Sequence, residues 1–475
     1  MLANPRFDAD LLARYDRPGP RYTSYPTAPH FHAGFGEADL RAAVAASNGD
    51  PIPARLSLYV HVPFCMSPCF YCGCNRIITR DLARGAAYLV RLYREIALTA
   101  ELFDRDREVI QLHLGGGTPN FLSPAQLGEL LDTLRSHFRF ADSPTRDLSI
   151  ELDPRYTNAP DVRALGALGF NRASFGVQDF DPAVQEAVNR IQSVEETRAV
   201  VDACRGSGFR SVNIDLIYGL PKQTREGFAR TLDTVVGMRP DRLAVYSYAH
   251  LPAMFKAQRQ IDASQLPDAA MKLALLQLAI DKLTAAGYVY IGMDHFALPD
   301  DDLAQAQARG TLHRNFMGYT THANTDLVGL GVSAISHIGD SFSQNPRDLP
   351  SWQVALDEGR LPVFRGLRLD EDDVLRADLI QHLMCQAEIP IRALERRHAV
   401  DFATYFADAL AKLAPLEADG LVRVCPDRIV ATTQGRLLLR NIAMCFDRYL
   451  APHPGLKPAG SMPAQDAAPR FSRAI

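Results

Sequence analysis

The sequence predicts a partial α/β barrel of six strand–helix units, with an N-terminal extension before it and a mostly helical, winged-helix-like module after it. Short apolar runs alternate with amphipathic stretches between residues 57 and 246. Such alternation builds a parallel sheet with helices outside. Polar residues recur at the C-terminal ends of those runs, where open and barrel α/β sheets place their active sites. From about residue 370 the pattern turns helical, with one small hairpin. Six units fall short of the eight in a closed barrel.

The predicted strands cover 57–62, 109–114, 148–152, 172–177, 212–218 and 242–246. Helical stretches lie between them at 83–103, 123–138, 161–168, 193–207 and 225–238. Ser123-Pro124 has the form of an N-cap and a first helical residue. In the C-terminal part helices are expected at 372–385, 391–398 and 402–413, a strand at 428–432 and a last helix at 433–449. We divide the chain into an N-terminal segment at the active-site mouth (1–50), the barrel and its extension (51–365), a helical domain (366–451) and a flexible Pro-, Ala- and Gly-rich tail (452–475).

The 475 residues are 47% hydrophobic and 22% charged, an ordinary globular balance. A net charge of −4 gives no basic excess for nucleic acid or an anionic membrane. The helical module has no arginine-rich recognition helix, so a lid or substrate-side role is expected of it rather than DNA binding. Residues 1–10 lack the apolar core of a signal peptide. The apolar stretch 271–286 is broken by Lys272, Asp281 and Lys282, so no membrane span is expected, and the expected compartment is the cytoplasm.

Four cysteines crowd one stretch, Cys65-Met66-Ser67-Pro68-Cys69-Phe70-Tyr71-Cys72-Gly73-Cys74, and the first three are spaced C-x3-C-x2-C. Three thiolates at this spacing can hold three irons of a [4Fe-4S] cube and leave the fourth open. A zinc site would show a second knuckle or histidines at set spacing, and none follows. A disulfide framework suits short secreted chains rather than this one. The cluster reading stands ahead of zinc, and zinc ahead of disulfides. Cys74 is read as a neighbour of the cluster, and Cys204, Cys385, Cys425 and Cys445 as reduced packing residues. The loop resembles that of the radical SAM superfamily, whose open iron binds the amino and carboxylate groups of S-adenosylmethionine (SAM).

The strand ends are chemically consistent with such a site. Tyr59 lies in the first strand, and Gly115-Gly116-Gly117-Thr118-Pro119 follow the second. Glu151 and Asp153 end the third, Gln178 the fourth, and Asp215 sits in the apolar fifth. Tyr246, Tyr248, Ala249 and His250 end the sixth. Glycine amides can approach a ligand closely, Glu151 can accept from ribose hydroxyls, and a buried Asp215 requires a partner. Arg190 could fork onto a carboxylate. Taken singly, each is as well read as a satisfied strand-end or helix-end polar group; their recurrence beside the cysteine loop points to one site.

Longer segments narrow the resemblance. Pro20-Arg21-Tyr22-Thr23-Ser24-Tyr25-Pro26-Thr27, Tyr59-Val60-His61-Val62-Pro63-Phe64-Cys65, Gly176-Val177-Gln178-Asp179-Phe180, the run from Asp215 to Thr224, Gly292-Met293-Asp294-His295-Phe296-Ala297 and His313-Arg314-Asn315-Phe316 resemble the oxygen-independent coproporphyrinogen III oxidase family over nearly the whole chain. The resemblance implies that Cys65, Cys69 and Cys72 ligate the cluster and that Tyr59, Gly116, Glu151 and Ile335 line the first SAM site, with Tyr59, Glu151 and Ile335 closest to the chemistry. It implies a second SAM at Tyr71, Gly117, Thr118, Gln178, Arg190, Asp215 and Ala249. It further implies conversion of two propionates of coproporphyrinogen III to vinyls through a 5′-deoxyadenosyl radical, giving protoporphyrinogen IX. The implied partners are an electron donor such as flavodoxin or ferredoxin and an electron acceptor, with the chain a monomer. Arg21, Arg314 and Lys222 are candidates for the substrate carboxylates. Met317 stands where the family has glutamine, which puts one amide contact in doubt. Three alternatives stay open: a haem-binding chaperone relative, which lacks the fourth cysteine and the Arg-Tyr-Thr-Ser-Tyr-Pro segment; a non-catalytic metal scaffold; and a radical SAM enzyme with another substrate.

Overall fold

The computed structural model describes residue 2 and residues 4–450; the tail 452–475 lies outside the described residues. Six strands stand where the apolar runs predicted them: β1 (Arg55–Val62), β2 (Glu108–Gly116), β3 (Asp147–Leu152), β4 (Arg172–Gln178), β5 (Ser211–Tyr218) and β6 (Arg242–Ser247). Each is parallel to its neighbour in the order β1 to β6. Helices α1 (Ala83–Ala100), α2 (Pro124–His137), α3 (Ala159–Leu168), α4 (Val194–Gly206) and α5 (Arg225–Met238) form the connections. Ser123 caps α2 as its sequence predicted, accepting from the Gln126 amide while the Gln126 side chain returns to the Ser123 amide. Leu58, Val60, Leu112, Leu114, Ile150, Ile214 and Leu216 are fully buried beneath these helices. At about 25 cal/mol per Å2 of apolar surface removed from water, this core is the main favourable contribution to the fold.

The sheet extends beyond the six expected strands. Thr325–Leu330 adds a seventh parallel strand against β1, and the antiparallel strands Ile335–Ile338, Ser341–Gln344 and Arg365–Arg368 continue that edge. On the other edge, Val289–Gly292 and His295–Ala297 pair antiparallel next to β6. The hairpin His313–Asn315 and Gly318–Thr320 is a separate small sheet.

The C-terminal part has helices at Glu371–Gln386, Ile391–His398, Phe402–Tyr405 and Ala407–Ala418, and a three-stranded sheet of Glu388–Ile389, Ile429–Ala431 and Val422–Val424. Two expectations need correction. The helix expected at 402–413 is broken at Phe406, whose ring is buried against Phe402 and Phe446. The helix expected at 433–449 is a 3-10 turn, Gly435–Leu438, followed by the short helix Leu439–Met444. A helix on to Tyr449 would disrupt the Asp447 contacts to the Tyr449 amide and the Tyr22 hydroxyl. The N-terminal Leu12, Tyr15, Tyr22 and Tyr25 pack into the same core as Leu379, Leu383, Ile389 and Phe402, so the extension is stitched to this domain.

At the N-terminal end of the barrel, the first residues of β3, β4, β5 and β6 are Asp147, Arg172, Ser211 and Arg242. They form a polar plug. Asp147 accepts from Arg172 Nε at 2.6 Å and Arg210 Nη2 at 2.7 Å, with His322 Nε2 at 3.2 Å. Arg242 pairs with Asp301 at 2.9 Å. Burial alone would raise the Asp147 pKa, but the His322 hydrogen bond and Arg172 outweigh it and hold the carboxyl well below its usual range. A depressed carboxyl stabilises the fold above the unfolded pKa of about 4 and loses that contribution as pH falls below it. Asp147→Ala is therefore expected to cost about 3 kcal/mol or more at neutral pH, read as a lower denaturant midpoint, because two arginines lose a buried partner.

Candidate active site

The cysteine loop leaves the C-terminal end of β1. Phe64–Cys65 pairs in parallel with Ile77–Ile78, closing the loop at its base. Arg76 fastens the loop from inside, donating to the carbonyls of Cys72 at 3.2 Å and Cys69 at 3.1 Å. The glycine turn after β2 lies directly on this backbone. Gly117 N donates to Val62 O at 2.8 Å and Thr118 N to Phe64 O at 2.9 Å. A Cβ on Gly117 would lie 2.7 Å from Pro63 C and 2.8 Å from Phe64 O, and Gly116 has φ +112° with the His61 ring 2.6 Å from its missing Cβ. The glycines therefore serve close packing of two strand ends, a use the sequence reading did not assign them.

All three loop sulfurs are hydrogen-bonded, and those of Cys69 and Cys72 accept. Cys65 Sγ is 3.4 Å from Thr118 Oγ1, Cys72 Sγ accepts from Cys74 N at 3.4 Å, and Cys69 Sγ accepts from Arg190 at 3.4 Å and Arg155 at 3.6 Å. Both arginines are held by Asp153, at 2.6 Å for Arg155 and 3.3 Å for Arg190. Burial pushes the Cys65 thiol up to about 11, whereas the hydrogen bond with Cys74 brings Cys72 down to about 6. Donors and guanidinium charge at the sulfurs fit three thiolates of an anionic iron–sulfur cube. All eight cysteines are free; Cys204, Cys385 and Cys445 are buried as expected, and Cys425 is only half-buried.

A second group of residues faces the barrel interior. Tyr59 OH bonds His61 Nδ1 at 3.0 Å, and its ring stacks on His113. His113 Nε2 and the Gly116 amide each lie 3.3 Å from a Glu151 oxygen. Burial would raise the Glu151 pKa, but His113 and the Gly116 amide outweigh it and the net shift is downward. Ile335 begins the strand beside Gly329, which pairs with Tyr59 across the sheet, and a Cβ on Gly329 would lie 2.5 Å from Ile335 O.

Asp215 accepts from Asn213 Nδ2 at 2.8 Å and Ser174 Oγ at 3.4 Å, and burial pushes its pKa up to about 7. Gln178, at φ +69°, holds a buried Oε1 with no protein partner. Gln258 Nε2 ties the carbonyls of Tyr71 and Ala249 together at 2.9 and 3.1 Å. Glu151, Asp215, His113, Tyr246, His295 and Met317 line part of a cavity of about 170 Å3.

The structure thus joins Cys65 to Thr118, Cys69 to Arg190, and Tyr59, Gly116 and Glu151 through histidines. Sequence reasoning missed Arg155, His113, Asn213 and Gln258. Only Arg155 carried a local signal, standing two residues after Asp153 at the end of β3. Of the three basic candidates, Arg314 spends one nitrogen on the carbonyls of Arg21 and Tyr22, and the Lys222 amide bonds Gln265 in the loop after β5. Gly117→Ala is expected to force the glycine turn off the loop and lower iron bound per chain. Gly237→Ala, in α5 with nothing within 4 Å, is expected to keep full iron.

Residues 59–235 match the radical SAM superfamily, and residues 369–438 match the HemN C-terminal domain. The chain is 54% identical over 450 residues to the oxygen-independent coproporphyrinogen III oxidase of Pseudomonas aeruginosa, covering 95% of this chain and 97% of that one. It is 50% identical over 445 residues to that of Escherichia coli K12, covering 94% and 96%. The solved structure of coproporphyrinogen III oxidase (HemN) from Escherichia coli, described as a radical SAM enzyme, superposes with a TM-score of 0.89 at 48% identity, covering 94% of this chain and all of that one.

Proposed function

The chain belongs to the oxygen-independent coproporphyrinogen III oxidases, radical SAM enzymes, and on that premise we propose how its residues divide the work. The reaction is the oxidative decarboxylation of two propionates of coproporphyrinogen III to vinyls, giving protoporphyrinogen IX for haem biosynthesis. The [4Fe-4S] cluster and SAM, when bound, supply a carbon radical that removes a hydrogen from the propionate β-carbon.

In this reading Cys65, Cys69 and Cys72 hold the cluster, and Cys74 supports Cys72 through its amide. The observation that carries the assignment is the set of donors on those sulfurs from Thr118, Cys74, Arg155 and Arg190. Tyr59, Gly116, Glu151 and Ile335 orient SAM, with Glu151 accepting from ribose hydroxyls. Tyr71, Gly117, Thr118, Gln178, Arg190, Asp215 and Ala249 form the place for a second SAM, a role supported by the partnerless Gln178 oxygen and by Asp215, half-buried with its carboxyl pushed up to about 7. Met317 presents a thioether to the cavity. The protein's contribution is positioning and exclusion of water. We extend the proposal to a monomeric, cytoplasmic enzyme served by a flavodoxin- or ferredoxin-type donor and a separate electron acceptor. Its division at residues 50, 365 and 451 is part of the same reading. Among the described residues no helix is long and apolar enough to cross a membrane.

Anaerobic incubation of the reconstituted enzyme with SAM, a reductant, an electron acceptor and coproporphyrinogen III tests the assignment. Wild type is expected to yield protoporphyrinogen and 5′-deoxyadenosine, and Cys65→Ala neither; vinyl product from Cys65→Ala would refute the ligand set. Asp215 gives a pH test. Burial pushes its carboxyl up to about 7, and deprotonation leaves both oxygens as acceptors, whereas the acid form turns one of them into an O–H donor. SAM binding is expected to strengthen as pH rises through 7, and Asp215→Asn to abolish that dependence.

A further inference from the structure

The N-terminal arm carries Arg21, one of the three basic residues named above as candidates for the substrate carboxylates. Residues 19–22 are strapped at the barrel mouth from two sides. Arg440, in the C-terminal domain, donates to the carbonyls of Gly19 and Pro20. Arg314, from the small hairpin, donates to those of Arg21 at 2.6 Å and Tyr22 at 2.9 Å. Both straps are buried, and both act on backbone. The arm is therefore held by its main chain, and the Arg21 side chain is presented rather than used as an anchor. Its guanidinium lies 5.6 Å from the ring centre of Tyr246, which lines the cavity, and 34% of the side chain stays accessible. Its salt-bridge partner is Asp294, in the turn between Val289–Gly292 and His295–Ala297.

Arg21, Arg314 and Arg440 gather at this mouth, with Asp294 against Arg21. Burial, with Arg314 adding to it, lowers the Arg21 pKa, and burial followed by Arg21 and Arg314 lowers that of Arg440. His295, on the cavity wall beside Asp294, has a buried Nδ1 without a partner, and its pKa is driven down to about 3, first by burial and then by Arg314, Arg21 and Arg242. Burial is the larger cause, and the three arginines that add to it mark a positive wall that favours an anion. An Arg–carboxylate pair at a partly open mouth is a ready exchange site, because a planar guanidinium accepts either carboxylate with the same fork geometry.

We propose that Arg21 is the specificity-determining contact for one propionate carboxylate of the tetra-anionic substrate, and that Asp294 is an internal stand-in which that carboxylate displaces. This deepens the oxidase reading and rests on it. Arg314, which the sequence placed alongside Arg21, is instead the scaffold that presents it.

The two members of the pair are expected to move binding in opposite directions. Equilibrium binding of coproporphyrinogen III to the reconstituted enzyme is measured under anaerobic conditions for wild type, Arg21→Gln and Asp294→Asn, with iron content and melting temperature read alongside. Arg21→Gln is expected to weaken binding about tenfold, the loss of one charge-assisted contact. Asp294→Asn is expected to tighten it, since the competing carboxylate is gone. Tighter binding cannot arise from a damaged fold, so the second variant decides the matter even if the first loads less iron. Unchanged binding in Arg21→Gln, or weaker binding in Asp294→Asn, would overturn the proposal and make the pair a simple strap. A wild type that binds no coproporphyrinogen III, yet cleaves SAM, would instead overturn the substrate reading beneath it.

Discussion

Two backbone hydrogen bonds, Gly117 N to Val62 O and Thr118 N to Phe64 O, hold the glycine turn of β2 against the start of the cysteine loop. The rest of the open end depends on this clamp. It brings Thr118 to Cys65, sets the Gly116 amide toward Glu151, and fixes where the loop departs toward Cys69 and Cys72. Only residues without a side chain allow it, since a Cβ on Gly117 would overlap the Pro63 and Phe64 backbone. A parallel sheet makes such a clamp possible, because β1 and β2 end at the same level and release their loops side by side.

Charge is distributed along the barrel axis in two separate systems. At the closed end, Asp147, Arg172, Arg210, His322, Arg242 and Asp301 neutralise one another in a plug. At the open end, arginines serve ligands and backbone: Arg155 and Arg190 at a sulfur, Arg314 and Arg440 at the carbonyls of the N-terminal arm. This gathering of guanidinium groups, two of them also paired with Asp153, suits an end built for anions: thiolates, the SAM carboxylate and propionates.

The strands of the barrel were legible because each carries short apolar runs, in β3 and β5 at every second place (Leu148, Ile150 and Leu152; Val212, Ile214 and Leu216). The seventh parallel strand, Thr325–Leu330, was not, since its partner β1 lies some 270 residues earlier and no local pattern joins them. The C-terminal helix was overdrawn because an apolar, helix-forming stretch from Leu437 to Phe446 is cut short by tertiary contacts of Asp447. At the site, the cysteines declared themselves by spacing. His113 and Gln258 did not: one is a polar residue within an apolar strand, the other a loop residue, and each acquires its role only through contacts with Glu151, Tyr71 and Ala249. The glycine run, singled out for close approach to a ligand, also packs the two strand ends together.

The central claim is that three thiolates, and not four, hold the cluster and leave one iron for SAM. Electron paramagnetic resonance of the reduced, reconstituted enzyme tests it most directly, with and without SAM, in wild type and Cys74→Ala. The account predicts a reduced [4Fe-4S] signal that changes on adding SAM and persists in Cys74→Ala. A signal indifferent to SAM, or a cluster lost when Cys74 is removed, would contradict it.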